Sequence, residues 1–199
     1  MIKLNRPPCP HSAPLENKTD YKHKENKKAL KDASNDKCMY CESKISHIDF
    51  AHVEHIKPKA ADKFPELKFE WDNLGYACPI CNNTKSDKYW DDCTFIDPYS
   101  DNPKEHLVAF GTLLQPKRGC ERGEITIVEI GLNRPELLEK RGERIKDVEN
   151  ALKTCFRTKN TRLKENAINE LKKEANVDKE YSMVVEALLN AHNLLAVND

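Results

Sequence analysis

Four cysteines arranged as two C-x2-C pairs are the residues whose spacing most directly indicates chemistry. Cys38 and Cys41 form the first pair, and Cys78 and Cys81 form the second. Thiolate sulfur is a preferred ligand of zinc, and a C-x2-C turn lets both sulfurs face one ion. The spacing therefore predicts a structural Zn²⁺ site that staples the two ends of residues 42–77. Four buried cysteines without a metal are the alternative, which two intact pairs disfavour.

The remaining cysteines lack such spacing. Cys93, Cys120 and Cys155 are expected to be small core residues. Cys9 with His11 provides only half of a second metal site, so we interpret this pair as structural. Eight cysteines in a secreted chain would suggest disulfides, but C-x2-C pairs favour metal binding by reduced thiolates and hence a cytoplasmic protein.

The charge balance limits how the chain meets a partner. Lys+Arg and Asp+Glu each total 33 among 199 residues, so the formal net charge is zero and there is no overall basic field. Any nucleic-acid-binding surface must therefore be a local patch. The first residues contain no apolar signal-peptide segment, and no apolar run reaches the length of a membrane span.

A second group of polar side chains lies between and just after the cysteine pairs. Hydrolysis of a phosphodiester requires an activated water and a divalent ion near the leaving oxygen. The Glu54 carboxylate suits a hard ion such as Mg²⁺, and a neutral His55 imidazole can accept a proton near neutral pH. Neighbours on a regular strand face opposite sides, so these two residues share a site only where the strand ends or bends, as Pro58 suggests. Taken alone, such a pair is more often an ordinary surface pair.

The elements that must position these residues indicate an α+β fold. Residues 48–56 alternate as a strand, residues 71–77 form a second short strand, and a helix is predicted from Pro79 to Lys88. The predicted order around the cysteines is therefore strand, loop, strand, helix. Further along, residues 124–130 are the best strand by alternation and β-branching.

The chain divides into four predicted stretches, with the boundaries 1–36, 37–92, 93–132 and 133–199. The first contains an extended Pro-rich arm and a short lysine-rich helix, and the second contains the zinc-stapled core. The third is a small mixed β region. The fourth is helical and is expected to begin with Asn133 as N-cap and Glu136 in a capping box. We interpret the apolar stripes of its helices as core packing or a partner interface.

The order of motifs resembles a known family. C-x2-C, V-E-H-I-x-P, W-D-N-L and C-P-x-C-N-x-x-K, over residues 38–88, closely resemble the HNH endonucleases with their ββα-metal core. A looser similarity over residues 93–145, which includes G-L-N-R-P-E-L, extends the resemblance to the PtuB-type nucleases of Septu and retron-linked phage defence. This resemblance implies a nuclease with a structural Zn²⁺, a catalytic Mg²⁺ or Mn²⁺, and a PtuA-like ATPase as partner.

The resemblance also implies a role for each matching residue. His55 corresponds to the general base, and Glu54 occupies the position of the family's usual Asp, a ligand of the divalent ion. Asn73 corresponds to the Asn that braces the loop carrying the base. Asn82 corresponds to the second protein ligand of the catalytic ion. Lys85, one helical turn further, is expected to contact the phosphate or the leaving group.

Several positions leave alternatives open. Asn83 replaces Asn82 as the ligand if the register slips by one residue. His52 is a further ligand, a substrate contact or, as we favour, a packed histidine. A basic patch around the motifs is predicted to contact nucleic acid through Lys57, Lys59, Lys63, Lys85 and Lys88. The lysine-rich helix is a second candidate, through Lys22, Lys24, Lys27, Lys28 and Lys31, although charge runs are usually solvated faces.

Together, these features predict a cytoplasmic, divalent-metal-dependent HNH endonuclease that cleaves DNA. The main alternative is a zinc-stapled nucleic-acid-binding or adaptor module without cleavage activity. A zinc deaminase is disfavoured, because four thiolate ligands leave zinc no open position for water. The choice between DNA and RNA, the trigger and the stoichiometry are open from the sequence.

Overall fold

In the computed structural model, which describes residues 1–45 and 51–195, helices surround two small antiparallel sheets. The predicted α+β class is confirmed. A large apolar core lies beneath the sheets and the N-terminal segment, and a smaller one lies among the C-terminal helices. No helix in the described ranges is both long enough and apolar enough to cross a membrane.

The N-terminal segment packs against the core rather than extending into solvent as an arm. Met1, Ile2 and Leu4 are buried, and a single helical turn, α1, spans Ala13–Glu16. Residues 1–12 form no helix or strand, as expected for an extended segment, but the apolar residues that precede the prolines bury it against the core. The lysine-rich helix is present as α2, Lys24–Ala33.

The predicted order of strand, loop, strand and helix is confirmed in the motif region. Strand β1, His52–His55, pairs antiparallel with β2, Leu74–Ala77, and helix α3, Pro79–Lys85, follows directly. The connection between the strands contains 3-10 turns at Pro65–Phe69 and Trp71–Asn73.

These elements are shorter than the predicted ones. The first part of the predicted strand, residues 48–50, lies outside the described residues. The second strand begins only at Leu74, because the preceding residues form a 3-10 turn. Helix α3 ends before Ser86, which has a positive φ of 51° that a helix cannot contain.

The segment predicted as the best strand is helical, and that prediction is wrong. Residues 124–130 belong to α4, Glu121–Ile130. The buried residues of this helix are spaced at helical intervals, at Gly123, Thr126, Ile127 and Ile130. Gly131 ends the helix in the left-handed conformation, with φ at 68°. The strand pair of this region is instead a hairpin of β3, Leu107–Phe110, and β4, Leu113–Pro116.

Three helices complete the described chain: α5, Pro135–Arg157, α6, Thr161–Lys172, and α7, Ser182–Ala191. The predicted capping box is wrong, because the N-cap of α5 is Arg134 and makes no side-chain cap bond. Asn133 instead pairs with the backbone of Leu114, donating to its carbonyl at 2.7 Å and accepting from its amide at 2.9 Å. The side chain thereby joins the hairpin to the helical region.

Candidate active site

The four cysteines of the C-x2-C pairs meet at one point. The ligand atoms of Cys38, Cys41, Cys78 and Cys81 all lie within 4.8 Å of one another, and all four residues are buried. The Cys41 and Cys78 sulfurs are 3.9 Å apart. Tetrahedral Zn²⁺ with Zn–S bonds of about 2.3 Å separates its sulfur ligands by about 3.8 Å. The predicted four-cysteine cluster is thus present, and its geometry fits a structural zinc.

The chemistry around the cluster also suits a cation. Burial raises the pKa of the Cys38 thiol well above its usual value, so four ionised sulfurs are unfavourable here without a metal ion. Arg134 donates to the Cys81 sulfur at 3.4 Å. Burial acts to lower the pKa of Arg134, but the neighbouring sulfur outweighs it and the pKa rises.

The other cysteines stay outside this cluster. Cys93 and Cys155 are buried, and Cys120 is half-buried with its sulfur 3.2 Å from His106 Nδ1. Cys9 contacts the Asn26 side chain at 3.7 Å. Among the described residues, no second group of three or more metal-ligating side chains comes together.

Glu54, in β1, is buried and is held by three donors, one from the first cysteine turn and two from helix α3. Its Oε1 accepts from Tyr40 Oη at 3.2 Å and forms an ion pair with Lys85 Nζ at 2.8 Å. Its Oε2 accepts from the Asn82 side-chain amide. Because Oε1 is committed to two donors, Oε2 is the oxygen available to a further ligand.

Lys85 is fully buried, which corrects its predicted contact with phosphate. Besides the ion pair with Glu54, its ammonium donates to the His55 carbonyl at 2.9 Å. Helix α3 thereby holds both the side chain and the backbone of β1. The predicted spacing from Asn82 is correct, but it directs Lys85 inward, where it fixes the position of its neighbours.

His55 is oriented by a backbone carbonyl. Its Nε2 lies 3.0 Å from the Lys68 carbonyl, which can only accept, so Nε2 carries the hydrogen and Nδ1 is the basic nitrogen. Burial, opposed by this bond, lowers the pKa of His55 to about 4, and Lys59 lowers it further. The imidazole is therefore neutral at physiological pH. Its ring packs edge-on against Tyr21, with centroids 4.6 Å apart.

Asn73 connects the two ends of the loop that follows β1. Its Oδ1 accepts from the Lys57 amide at 2.7 Å, and its Nδ2 donates to the carbonyls of Lys57 and Leu67 at 2.9 and 3.1 Å. The loop between these contacts is thus fixed next to His55. This position is consistent with the bracing role implied by the family resemblance.

Asn82 joins Glu54 to His52. Its Oδ1 lies 2.9 Å from His52 Nδ1, and its Nδ2 points to Glu54. If the Asn82 amide is rotated by 180°, its oxygen faces Glu54 and its nitrogen donates to His52 Nδ1. The other tautomer of the His52 ring can accept that bond. Glu54 and Asn82 can therefore offer two hard oxygen ligands, which suits Mg²⁺ or Mn²⁺. The alternative ligand, Asn83, is exposed and lines the same cavity.

Glu54 and His55 share a cavity of about 510 Å³, although they are neighbours in a strand. They reach it together because His55 is the last residue of β1. The remaining lining residues come from the following loop and from helix α3 and its end: Pro58, Lys59, Ala60, Lys68, Asn82, Asn83, Ser86 and Asp87.

The other predicted nucleic-acid contacts differ in accessibility. Lys57 and Lys59 are exposed, and Lys59 lines the cavity. Lys88 forms an ion pair with Glu129 at 2.9 Å, so part of its charge is neutralised against α4. The structure therefore brings Lys59 to the site and leaves Lys57 beside it.

Two contributions to this site were not anticipated from the sequence. Tyr40 lies between the cysteines of the first pair, and its hydroxyl reaches the Glu54 carboxylate. Its position between two predicted zinc ligands was the signal available in the sequence. In the structure this turn is anchored to β2 by the Met39 amide, which donates to the Tyr76 carbonyl at 2.9 Å. The Lys68 carbonyl left no sequence signal, since any residue supplies one.

Comparison with known proteins is consistent with this geometry. The HNH endonuclease family matches residues 38–88, which span both cysteine pairs, β1, β2 and α3. The chain is 30% identical over 177 residues to Septu protein PtuB of Bacillus thuringiensis, covering 82% of this chain and 67% of that protein. The chain belongs to the PtuB-type HNH family.

A second PtuB relative matches a smaller share. Septu protein PtuB of Bacillus mycoides (strain KBAB4) is 29% identical over 158 residues, which cover 65% of this chain. The match spans 54% of that relative, so the chain corresponds to just over half of its length. The similarity to both PtuB proteins extends well beyond the HNH core and confirms the resemblance read from the motifs.

Proposed function

We propose that this PtuB-type protein is a divalent-metal-dependent endonuclease that hydrolyses phosphodiester bonds of DNA. The observation that carries the proposal is the arrangement of His55, with Nε2 bound to a carbonyl and Nδ1 left basic, in one cavity with Glu54 and Asn82. A base, a carboxylate and an amide oxygen around one cavity are the groups that metal-assisted hydrolysis requires.

In this proposal each residue has a distinct task. His55 accepts a proton from the attacking water at Nδ1, and the Lys68 carbonyl keeps the ring in that orientation. Glu54 and Asn82 hold Mg²⁺ or Mn²⁺, which when bound would stabilise the 3′-oxygen leaving group. Lys85 and Tyr40 position Glu54, and Asn73 fixes the loop after β1.

The proposed biological role is defence against phage together with a PtuA-like ATPase in the cytoplasm. It is supported by the similarity to two proteins named Septu protein PtuB. One HNH site cuts one strand at a time, so double-strand breaks would require two copies or two events. Co-purification with the product of the adjacent gene tests the partnership.

Incubation of supercoiled plasmid with the purified chain tests the activity. Reactions contain Mg²⁺, Mn²⁺ or no divalent ion, with and without the partner ATPase. We expect conversion to nicked or linear DNA only with a divalent ion. Intact plasmid under every condition would favour the alternative, a zinc-stapled binding or adaptor module without cleavage activity.

A further inference from the structure

A second cavity, of about 400 Å³, adjoins the active-site cavity on the side of the lysine-rich helix. Asn82 and Lys59 line both cavities, so the two form a continuous surface. The outer wall of the second cavity consists of Tyr21, Lys22 and Lys27, which lie outside the segment matched to the HNH family.

The second cavity is basic, and no acidic side chain is among the described residues that line it. Its three lysines, Lys22, Lys27 and Lys59, have no carboxylate within ion-pair distance among the residues that the structure describes. The other described lining residues carry no negative charge either. Uncompensated positive charge in a concave surface attracts and retains anions.

The structure separates the lysines of this segment into two groups. Lys28 forms an ion pair with Asp32, and Lys31 forms one with Asp36 at 3.4 Å. Lys24 is exposed but does not line the cavity. Of the five lysines that the sequence presents as one charge run, only Lys22 and Lys27 line the cavity.

Helix α2 is held firmly enough to place these side chains. Leu30 is fully buried in the core. The buried Asn26 side chain donates to the His11 carbonyl at 2.8 Å and accepts from the His11 amide at 3.1 Å. The helix is thereby attached to both the core and the N-terminal segment, so Lys27 stands on a fixed support and Lys22 lies two residues before the start of that helix.

We propose that this cavity binds the phosphodiester backbone of the DNA strand next to the bond being cut. The proposal rests on the proposed function and assigns Lys22 and Lys27, together with Lys59, as its phosphate-binding residues. A DNA strand carries one negative charge per about 3.4 Å, so a strand with one phosphate at His55 brings the neighbouring phosphates onto the adjoining surface. The α2 segment is then part of the nuclease's substrate groove.

Fluorescence anisotropy with a labelled DNA duplex tests this site in the full-length chain. All proteins carry His55→Ala and no divalent ion is added, so binding is measured apart from cleavage. The test variant is Lys22→Ala with Lys27→Ala. The matched control is Lys24→Ala with Lys28→Ala, which removes the same charge from the same segment outside the cavity.

We expect the cavity variant to weaken binding about tenfold or more at moderate salt. It should also reduce the slope of log K against log[salt] by about 1 to 2, as the loss of one or two phosphate contacts requires. The control should change the affinity by less than about twofold, because its two lysines lie outside the cavity and make no phosphate contact in this proposal. Since these side chains are at the surface, all variants should melt at the temperature of the parent.

An equal loss in both variants would overturn the proposal, because it would indicate a diffuse field rather than a site. An unchanged affinity of the cavity variant, or a parent that does not bind the duplex, would also overturn it. These outcomes are distinct from failure of the proposed function. If the His55→Ala proteins bind DNA through Lys22 and Lys27 but the wild-type chain never nicks plasmid, only the nuclease is refuted. If the wild-type chain nicks plasmid equally well with Lys22→Ala and Lys27→Ala added, only this site is refuted.

Discussion

At the scale of single residues, the Glu54 carboxylate depends on its surroundings. Burial of an ionised carboxylate is costly unless it is paired and hydrogen-bonded. Lys85 and Tyr40 supply both at Oε1, while Oε2 remains beside Asn82. The buried lysine and tyrosine thus hold the Glu54 carboxylate in a defined orientation.

Removal of the Tyr40 hydroxyl tests this orientation. Tyr40→Phe retains the packed ring but removes a hydrogen bond to a charged group, worth about 1.5–3 kcal/mol, so we expect about a tenfold or greater loss of cleavage rate. The rate and its dependence on Mn²⁺ concentration are the measurements. Tyr76→Phe is the matched control, since its hydroxyl lies 3.5 Å from Asp36 and away from Glu54. Equal rates for the two variants would refute the assigned role.

Replacement of Lys85 tests the buried ion pair through stability. Lys85→Met leaves Glu54 buried without its partner, and we expect a loss of about 3–5 kcal/mol in the free energy of unfolding. Adding Glu54→Gln should restore part of it, because the uncompensated charge is then gone. Urea denaturation measures both effects, and Lys63→Met, at an exposed position, is the control. Additive losses from the two substitutions would mean that the pair is not coupled.

The lowered pKa of His55 predicts a specific pH dependence. The folded protein binds the proton only near pH 4, whereas an unfolded histidine binds it near 6.5. The stability from a neutral, buried His55 is therefore complete above about pH 6.5 and is lost as the pH falls toward 4, by up to about 3 kcal/mol. Denaturation of the parent and of His55→Gln between these values measures it. If the difference in unfolding free energy between the two proteins did not change with pH, the lowered pKa of His55 would be contradicted.

At the scale of elements, the four-cysteine cluster joins the first cysteine turn to the beginning of α3. Cys78 is the N-cap of this helix and Cys81 lies in its first turn, so the same helix that carries a sulfur ligand also carries Asn82 and Lys85. The opposite turn carries Tyr40. A structural metal bound by the four cysteines would therefore hold together both sides of the support for Glu54.

Loss of one thiolate should release this arrangement. We expect Cys38→Ser to lose bound zinc and to lower the melting temperature strongly, because binding energy at such a site is folding energy. Metal analysis and thermal denaturation are the measurements. Cys120→Ser, half-buried and outside the cluster, should retain zinc. Full zinc content and normal melting of Cys38→Ser would remove this residue from the site.

Elements that depend on local spacing could be predicted, and those that depend on distant partners could not. The C-x2-C pairs, β1, β2 and α3 follow from short patterns. The helix over residues 124–130 was missed because β-branched residues there mimic a strand, while burial at helical intervals is imposed by the packed core. Asn133 resembles an N-cap in sequence, but the backbone of Leu114, from a separate hairpin, uses its side chain instead.

At the scale of the whole molecule, the balanced charge conceals a local basic surface. The formal net charge is zero, yet lysines that have no ion-pair partner among the described residues gather along the two adjoining cavities. The sequence predicted the clusters of lysines but not their separation into side chains that are buried, paired with a carboxylate, or placed along the cavities. Only the fold determines that Lys85 and Lys88 are engaged with carboxylates while Lys22, Lys27 and Lys59 line the cavities.

The rate of plasmid nicking by His55→Ala, relative to the parent, tests the central claim most directly. Both proteins, with His192→Ala as a control at an exposed histidine, are incubated with supercoiled plasmid, Mn²⁺ and the partner ATPase. Loss of a general base lowers the rate by about 10²–10⁴-fold, so His55→Ala should leave the plasmid almost intact while the parent and His192→Ala nick it alike. Nicking by His55→Ala at the rate of the parent would contradict the assignment of His55 as the base.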